Sequence, residues 1–227
     1  MLAVLLITAC DEGKIYPEED VADLGRTATV SVTFKGNGAW PKKNYLSVIA
    51  LGSNSETPTL TKRIPKPINA GKKVSITLNN LKEDTREICI AVISNGLNII
   101  YKYYTYEVSN NTNDNIEIEL DELDLASYGR IQEQVFNTNC TTCHGGSTQI
   151  AGKLNLTPEK SYAALVNIEA PLSPDKQKYV DPGKPDESYL LEILENNDYH
   201  KDMFNSTGKQ EVLSLIETWI QEGANNN

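Results

Sequence analysis

The sequence predicts an all-β sandwich over residues 26–120 followed by a small all-α unit over residues 121–227. Three observations predict it. From Arg26 to Leu120, short alternating or apolar runs are punctuated by turn residues. From Ala126 onward the apolar residues fall at helical spacing instead. Between two such helical stretches lies a Cys-Thr-Thr-Cys-His run, Cys140 to His144. A chain of 227 residues that is 39% hydrophobic is long enough for one large or two small domains with real cores.

The chain opens on an apolar stretch, Leu2 to Ala9, too short to span a bilayer as a helix. It ends at Ile7-Thr8-Ala9-Cys10, which resembles the lipobox of bacterial lipoproteins. The resemblance implies a signal peptide over residues 1–9 and lipidation of Cys10 as the first residue of the mature chain. Residues 10–25 then read as a tether with Asp11, Glu12, Glu18, Glu19 and Asp20, similar to the acidic start of surface-displayed Bacteroidetes lipoproteins. Triacylation at Cys10 would supply more than one acyl chain, enough for stable anchoring. The implied location is a bacterial membrane, outside the cytoplasm, on the periplasmic face or at the cell surface.

Within residues 26–120 the elements follow in order. Thr27 to Phe34 and Lys73 to Leu78 alternate apolar with polar, as half-buried strands do. Tyr45 to Leu51 and Glu87 to Ile93 are more continuously apolar, as more deeply buried strands can be. Asn98 to Val108 and Asn115 to Leu120 complete the set, with Gly36-Asn-Gly38, Ala70-Gly71 and Asn95-Gly96 as turn chemistry and Ser109 to Asn115 as a polar loop. Six or seven strands in this length predict an antiparallel sandwich, similar to an immunoglobulin or fibronectin type III module. Tyr101, Tyr103, Tyr104 and Tyr106 crowd one strand, with Tyr101 and Tyr103 on one face. They are either core packing or a platform for a glycan or protein ligand. Trp40 beside Pro41 is either a loop anchor or a contact residue, and Cys89, in an apolar run, is expected in the core.

The second unit begins near Glu122 to Leu125. Tyr128, Ile131, Val135 and Phe136 predict a helix that runs straight into the Cys140 to His144 motif. Val212, Leu215, Ile216, Trp219 and Ile220 predict a second amphipathic helix stopped near Gly223. Two helices bracketing a cofactor loop would make an economical all-α core.

The Cys140-Thr-Thr-Cys143-His144 spacing is what covalent attachment of a c-type heme requires: two thiols add across the porphyrin vinyl groups, and the adjacent imidazole takes one axial position on the iron. On a helix, Cys residues at i and i+3 share a face with a His at i+4. Zinc is the alternative, through Cys140, Cys143 and His200 with His144 or Cys89. A structural zinc, however, prefers two separated ligand pairs, and Cys143 and His144 are neighbours. A thioredoxin-like site would need a βαβ context, which the pattern around the motif lacks. For the second axial position, Met203 is the only methionine besides Met1, and His200 is the alternative. A Met/His pair raises the reduction potential and suits electron transfer.

Residues Tyr128 to Ala224 resemble class I c-type cytochromes, and within them the small cytochrome c domain named for planctomycetes. The residues that carry the resemblance are Phe136, Cys140 to Gly145, Gly152-Lys-Leu154-Asn-Leu156, Val180-Asp-Pro-Gly183, Ser188-Tyr-Leu190 and Trp219-Ile-Gln-Glu-Gly-Ala224. The resemblance implies a small all-α cytochrome c domain with one covalent heme c, bound through Cys140 and Cys143, with His144 proximal. It places Met203 where a Met-Pro-Pro segment usually provides the distal ligand, although Phe204 and Asn205 stand where that segment has prolines.

The net charge of −10 argues against nucleic acid as a partner. Residues 1–120 hold 13 Lys/Arg against 14 Asp/Glu, while residues 121–227 hold 8 against 17, so the acidity lies with the heme motif. An acidic field there favours a redox partner with a basic surface. The expectation is a membrane-anchored monoheme electron carrier rather than a catalyst, with the sandwich as spacer or docking module. Two alternatives stand beside it. One is a glycan- or protein-binding lipoprotein with an accessory heme unit; the other is a heme sensor or peroxidase.

Overall fold

The computed structural model describes residues 25–53, 56–69, 71–109, 114–146, 150–204 and 206–227, the side chains of residues 206 and 207 excepted. The expected signal peptide, Cys10 and nearly all of the tether lie outside the described residues, as do Ala70, the centre of the polar loop after Ser109, and Asn205. Among the described residues, seven strands form two sheets. β1 (Ala28–Lys35) lies between β4 (Val74–Leu78) and β7 (Ile116–Asp124) in one of them. The other runs β3 (Leu60–Arg63), β2 (Tyr45–Leu51), β5 (Glu87–Ile93), β6 (Ile99–Glu107). Alternate residues of the facing strands bury one core: Val30, Val32 and Phe34 from β1, Leu46 and Val48 from β2, Ile88, Ile90 and Val92 from β5.

β2 and β5 are apolar on both faces because both faces are covered. Ile49, Leu51, Cys89, Ala91 and Ile93 make a second buried cluster behind the sheet. Cys89 is thus a core residue, and burial pushes its thiol pKa up. The pairing is not wholly antiparallel as expected, because β7 runs parallel to β1, with a bulge between Ser31 and Thr33. β3 lacked a sequence signal: four mostly exposed residues, Leu-Thr-Lys-Arg, hold the sheet edge by backbone pairing to β2.

The expectation of a separate all-α cytochrome c domain after the sandwich is corrected. The two sheets share one molecule with helical segments: α1 (Tyr128–Ile131), a π-helical segment (Gln132–Cys140), α2 (Thr141–His144), α3 (Ser161–Leu165), α4 (Tyr189–Asn196) and α5 (Ser206–Gln221). The segments between them even form β-bridges, Val166 with Val180 and Lys178 with both Glu169 and Ser188. α1, the π-helical segment and α2 run on without a break from Tyr128 to His144, and α5 is the other long helical stretch among the described residues. The helices pack on one another, Tyr128 against Tyr162 at 5.1 Å and Trp219 at 5.2 Å, and the core they form is continuous with that of the sandwich, so it is no separate unit. Tyr128, Ile131, Val135, Phe136, Leu215, Ile216, Trp219 and Ile220 all join the cluster that contains Phe34 and Leu46.

Polar groups lock this seam. The fully buried Arg130 donates to Ala39 O and Tyr103 Oη at 2.8 Å and to Leu125 O at 3.1 Å, and its Nη2 lies 3.4 Å from a Glu211 carboxylate oxygen. A buried cation is tolerable only with such a full set of partners. Glu211 also accepts the Lys42 and Lys43 backbone N–H groups. Gly36 sits at φ +67°, with the position of a Cβ 2.7 Å from Ala126 N, and a Cβ on Gly38 would collide with Thr218 of α5. The Gly36-Asn-Gly38 turn therefore needs its glycines for the close approach of the chain after β7 and of α5. Among the described residues no helix is long and apolar enough to cross a membrane.

Candidate heme site

The run Asn137-Thr-Asn-Cys-Thr141 has side chains that bond back onto the preceding turn. Thr138 Oγ1 donates to Glu133 O, Asn139 Nδ2 to Val135 O and Thr141 Oγ1 to Asn137 O. Such back-bonding competes with regular α-helical pairing. The backbone here is π-helical, with Thr141 N–H reaching Phe136 O five residues back, before it tightens into α2. The widened turn delivers Cys140 to the interior at 8% exposure while Cys143, three residues on, is exposed. Both thiols are free. Burial, reinforced by the neighbouring Cys143, pushes the Cys140 thiol up to about 11.

His144 follows, half-buried, with Nδ1 3.1 Å from Leu154 O. A carbonyl only accepts, so Nδ1 carries the proton and the Nε2 lone pair is free for a metal. A carbonyl partner of this kind is the expected orienting group for a metal-bound histidine. The loop is returned to His144 by a tight turn at Gly152 and Lys153, both at positive φ, and by the Leu156 N–H bond to His144 O at 2.7 Å. Leu154 and Leu156 are buried beside it. A buried polar relay holds the same loop from behind. Tyr128 Oη bonds Ser161 Oγ, which donates to Gln132 Oε1, and Gln132 Nε2 donates to Leu156 O at 2.9 Å. Sequence reasoning missed Gln132, Ser161 and Arg130. Their only trace is a polar residue on an otherwise apolar helical stripe.

The side chain brought to His144 from the far segment is the His200 imidazole, with ring centroids 6.2 Å apart and planes 29° from each other. His200 follows α4 in a turn, and its Nδ1 lies 3.0 Å from Asn197 Oδ1. Burial, and then the nearby His144, hold its pKa below the ordinary imidazole value. Met203, 38% exposed, lies one turn further, its N–H on His200 O at 3.1 Å.

The four-ligand zinc arrangement does not assemble: among the described residues no three His, Cys, Asp or Glu side chains converge as a metal cluster. Cys89 sits in the middle of β5, within the cluster behind the sheet. The donors present do fit a heme c. Two thiols outside any disulfide stand at i and i+3, and the next residue is an imidazole with Nε2 unengaged by its backbone partner.

The tyrosine strand is largely spoken for. Tyr103 Oη donates to Leu125 O and receives Arg130, Tyr101 packs edge-on against Tyr103 at 4.9 Å, and Tyr106 is the exposed member at 38%. Trp40 anchors its loop edge-on against Phe34 at 5.5 Å. Compared with protein-family models, curated proteins and solved structures, the chain matches none.

Proposed function

We propose that this chain covalently binds one heme c through Cys140 and Cys143, with His144 as the proximal ligand, and serves as an anchored electron carrier. The observation that supports it is one helical turn presenting two free thiols and a histidine whose Nδ1 is committed to Leu154 O. When bound, the group would supply a one-electron ferric/ferrous couple. The chain's own residues do the rest. Leu154 O fixes the ring of His144 and keeps its proton on Nδ1. Leu154, Leu156, Val135 and Phe136 exclude water behind the attachment turn. The sandwich, tied to the helices through Arg130, carries the site as one body. Lipid at Cys10 would anchor the chain to a membrane, and the acidity of residues 121–227 would favour docking on a basic redox partner, more weakly at high salt.

The test is expression of the full chain with c-type heme maturation, followed by heme staining after denaturing electrophoresis. Heme that stays with the polypeptide and is lost from the Cys140→Ser, Cys143→Ser double variant is the expected result. A wild-type chain that emerges without covalent heme would rule the proposal out.

A further inference from the structure

We propose that His200, not Met203, supplies the second axial bond to the heme iron, so that two imidazoles hold the metal; this rests on the heme reading above. The first support is spacing. A histidine nitrogen sits about 2 Å from a bound transition-metal ion, and its ring centre lies roughly 1 Å beyond, so two imidazoles on opposite sides of one metal have centroids about 6 Å apart. The His144 and His200 rings are stacked, with planes 29° from each other and centroids 6.2 Å apart, a separation of that size.

The second support is independent of spacing and concerns protons. His144 Nδ1 is committed to Leu154 O, and His200 Nδ1 to Asn197 Oδ1 at 3.0 Å. The Asn197 atom is identified as oxygen because it also accepts the Tyr199 N–H, at 3.0 Å. Both acceptors force the proton onto Nδ1, which leaves both Nε2 lone pairs as donors. Each histidine thus has the outer partner that metal-bound imidazoles characteristically have. The His200 backbone is fixed as well: its N–H and that of Lys201 both bond Asn197 O, at 3.0 and 2.8 Å.

Met203 has no comparable preparation. It is 38% exposed, and Phe204, which packs against the core, follows it. Paired imidazoles also imply a lower reduction potential than a Met/His pair, because the methionine ligand raises it.

The experiment uses full-length ferric holoprotein and needs no variant for its first readout. A low-spin electron paramagnetic resonance signal of the bis-imidazole type, without the long-wavelength methionine-to-iron absorption band, is expected. In the variants, His200→Ala should become high-spin and bind carbon monoxide when reduced, with added imidazole restoring the low-spin signal, while Met203→Ala should leave the spectrum unchanged. A methionine band in the wild type overturns the assignment. So does an open iron in Met203→Ala, or a His200→Ala protein that stays low-spin and ignores carbon monoxide. Should His200→Ala fail to fold, the wild-type spectrum decides alone. Absence of covalent heme is a separate outcome, and it removes the heme reading together with this ligand.

Discussion

At the scale of single residues, the two thiols of the Cys140 to His144 turn differ sharply although the sequence makes them equivalent. Cys140 is 8% exposed with a thiol pushed up to about 11, and Cys143 faces solvent. The thiolate is the nucleophile, so a thiol with a pKa four units above neutrality is ionised in roughly one molecule in 10,000 at pH 7. In the unmatured protein at that pH, iodoacetamide should label Cys143 well before Cys140, as read by peptide mass spectrometry over time. Unfolding in urea should make the two rates converge. Equal rates in the folded protein would show that Cys140 is not held in the interior. The residues proposed to hold heme were named from the sequence because thiol–thiol–imidazole spacing is a local pattern. Which thiol is buried was not legible, because that depends on the π-helical widening before Cys140. Nor was the His144 partner, since Leu154 O reaches the ring only through the turn at Gly152 and Lys153.

Among elements, the continuously apolar strands were legible. Glu87 to Ile93 is β5 from end to end, and Tyr45 to Leu51 is β2. What was not legible is where each helix buries its stripe. The same apolar spacing at Tyr128, Ile131, Val135 and Phe136 fits a helix packed on other helices or on a sheet, and only the three-dimensional partner distinguishes them. The seam between α5 and the turn after β1 provides a test through Glu222, whose carboxylate accepts Gly36 N–H at 3.0 Å near Asp124. Burial, and then the charge of Asp124, raise the Glu222 pKa in the folded protein. From the ordinary carboxylate value upward, the folded state then holds a proton that the unfolded chain has released, so this group's contribution to stability falls as pH rises through that window. Glu222→Gln keeps an acceptor for Gly36 and removes the charge. The variant should match the parent in urea melts near pH 4 and exceed its stability at pH 7. A difference that does not grow between those pH values would mean the seam does not strain this carboxylate.

For the whole molecule, the continuity of the core decides how it unfolds. The cluster runs without interruption from Val30 and Phe34 to Trp219 and Ile220, and Arg130 bonds sandwich and helices at once. A chain built this way should lose both parts in one transition, whereas a sandwich joined to an independent helical domain would show two. The two tryptophans make the distinction measurable, since Trp40 packs on Phe34 in the sandwich and Trp219 lies buried in α5. In urea melts of Trp40→Phe and Trp219→Phe proteins, the remaining tryptophan in each should report the midpoint that circular dichroism of the strands reports. Separated midpoints would restore two autonomous units despite the shared contacts. Heme loading extends the same logic. A group that engages only the native arrangement of His144 and His200 stabilises that state, and in a single cooperative unit the gain spreads to every probe. The holoprotein should therefore show a higher midpoint than the Cys140→Ser, Cys143→Ser protein at Trp40 as well as at Trp219. A shift confined to Trp219 would show that the site and the sandwich are mechanically uncoupled.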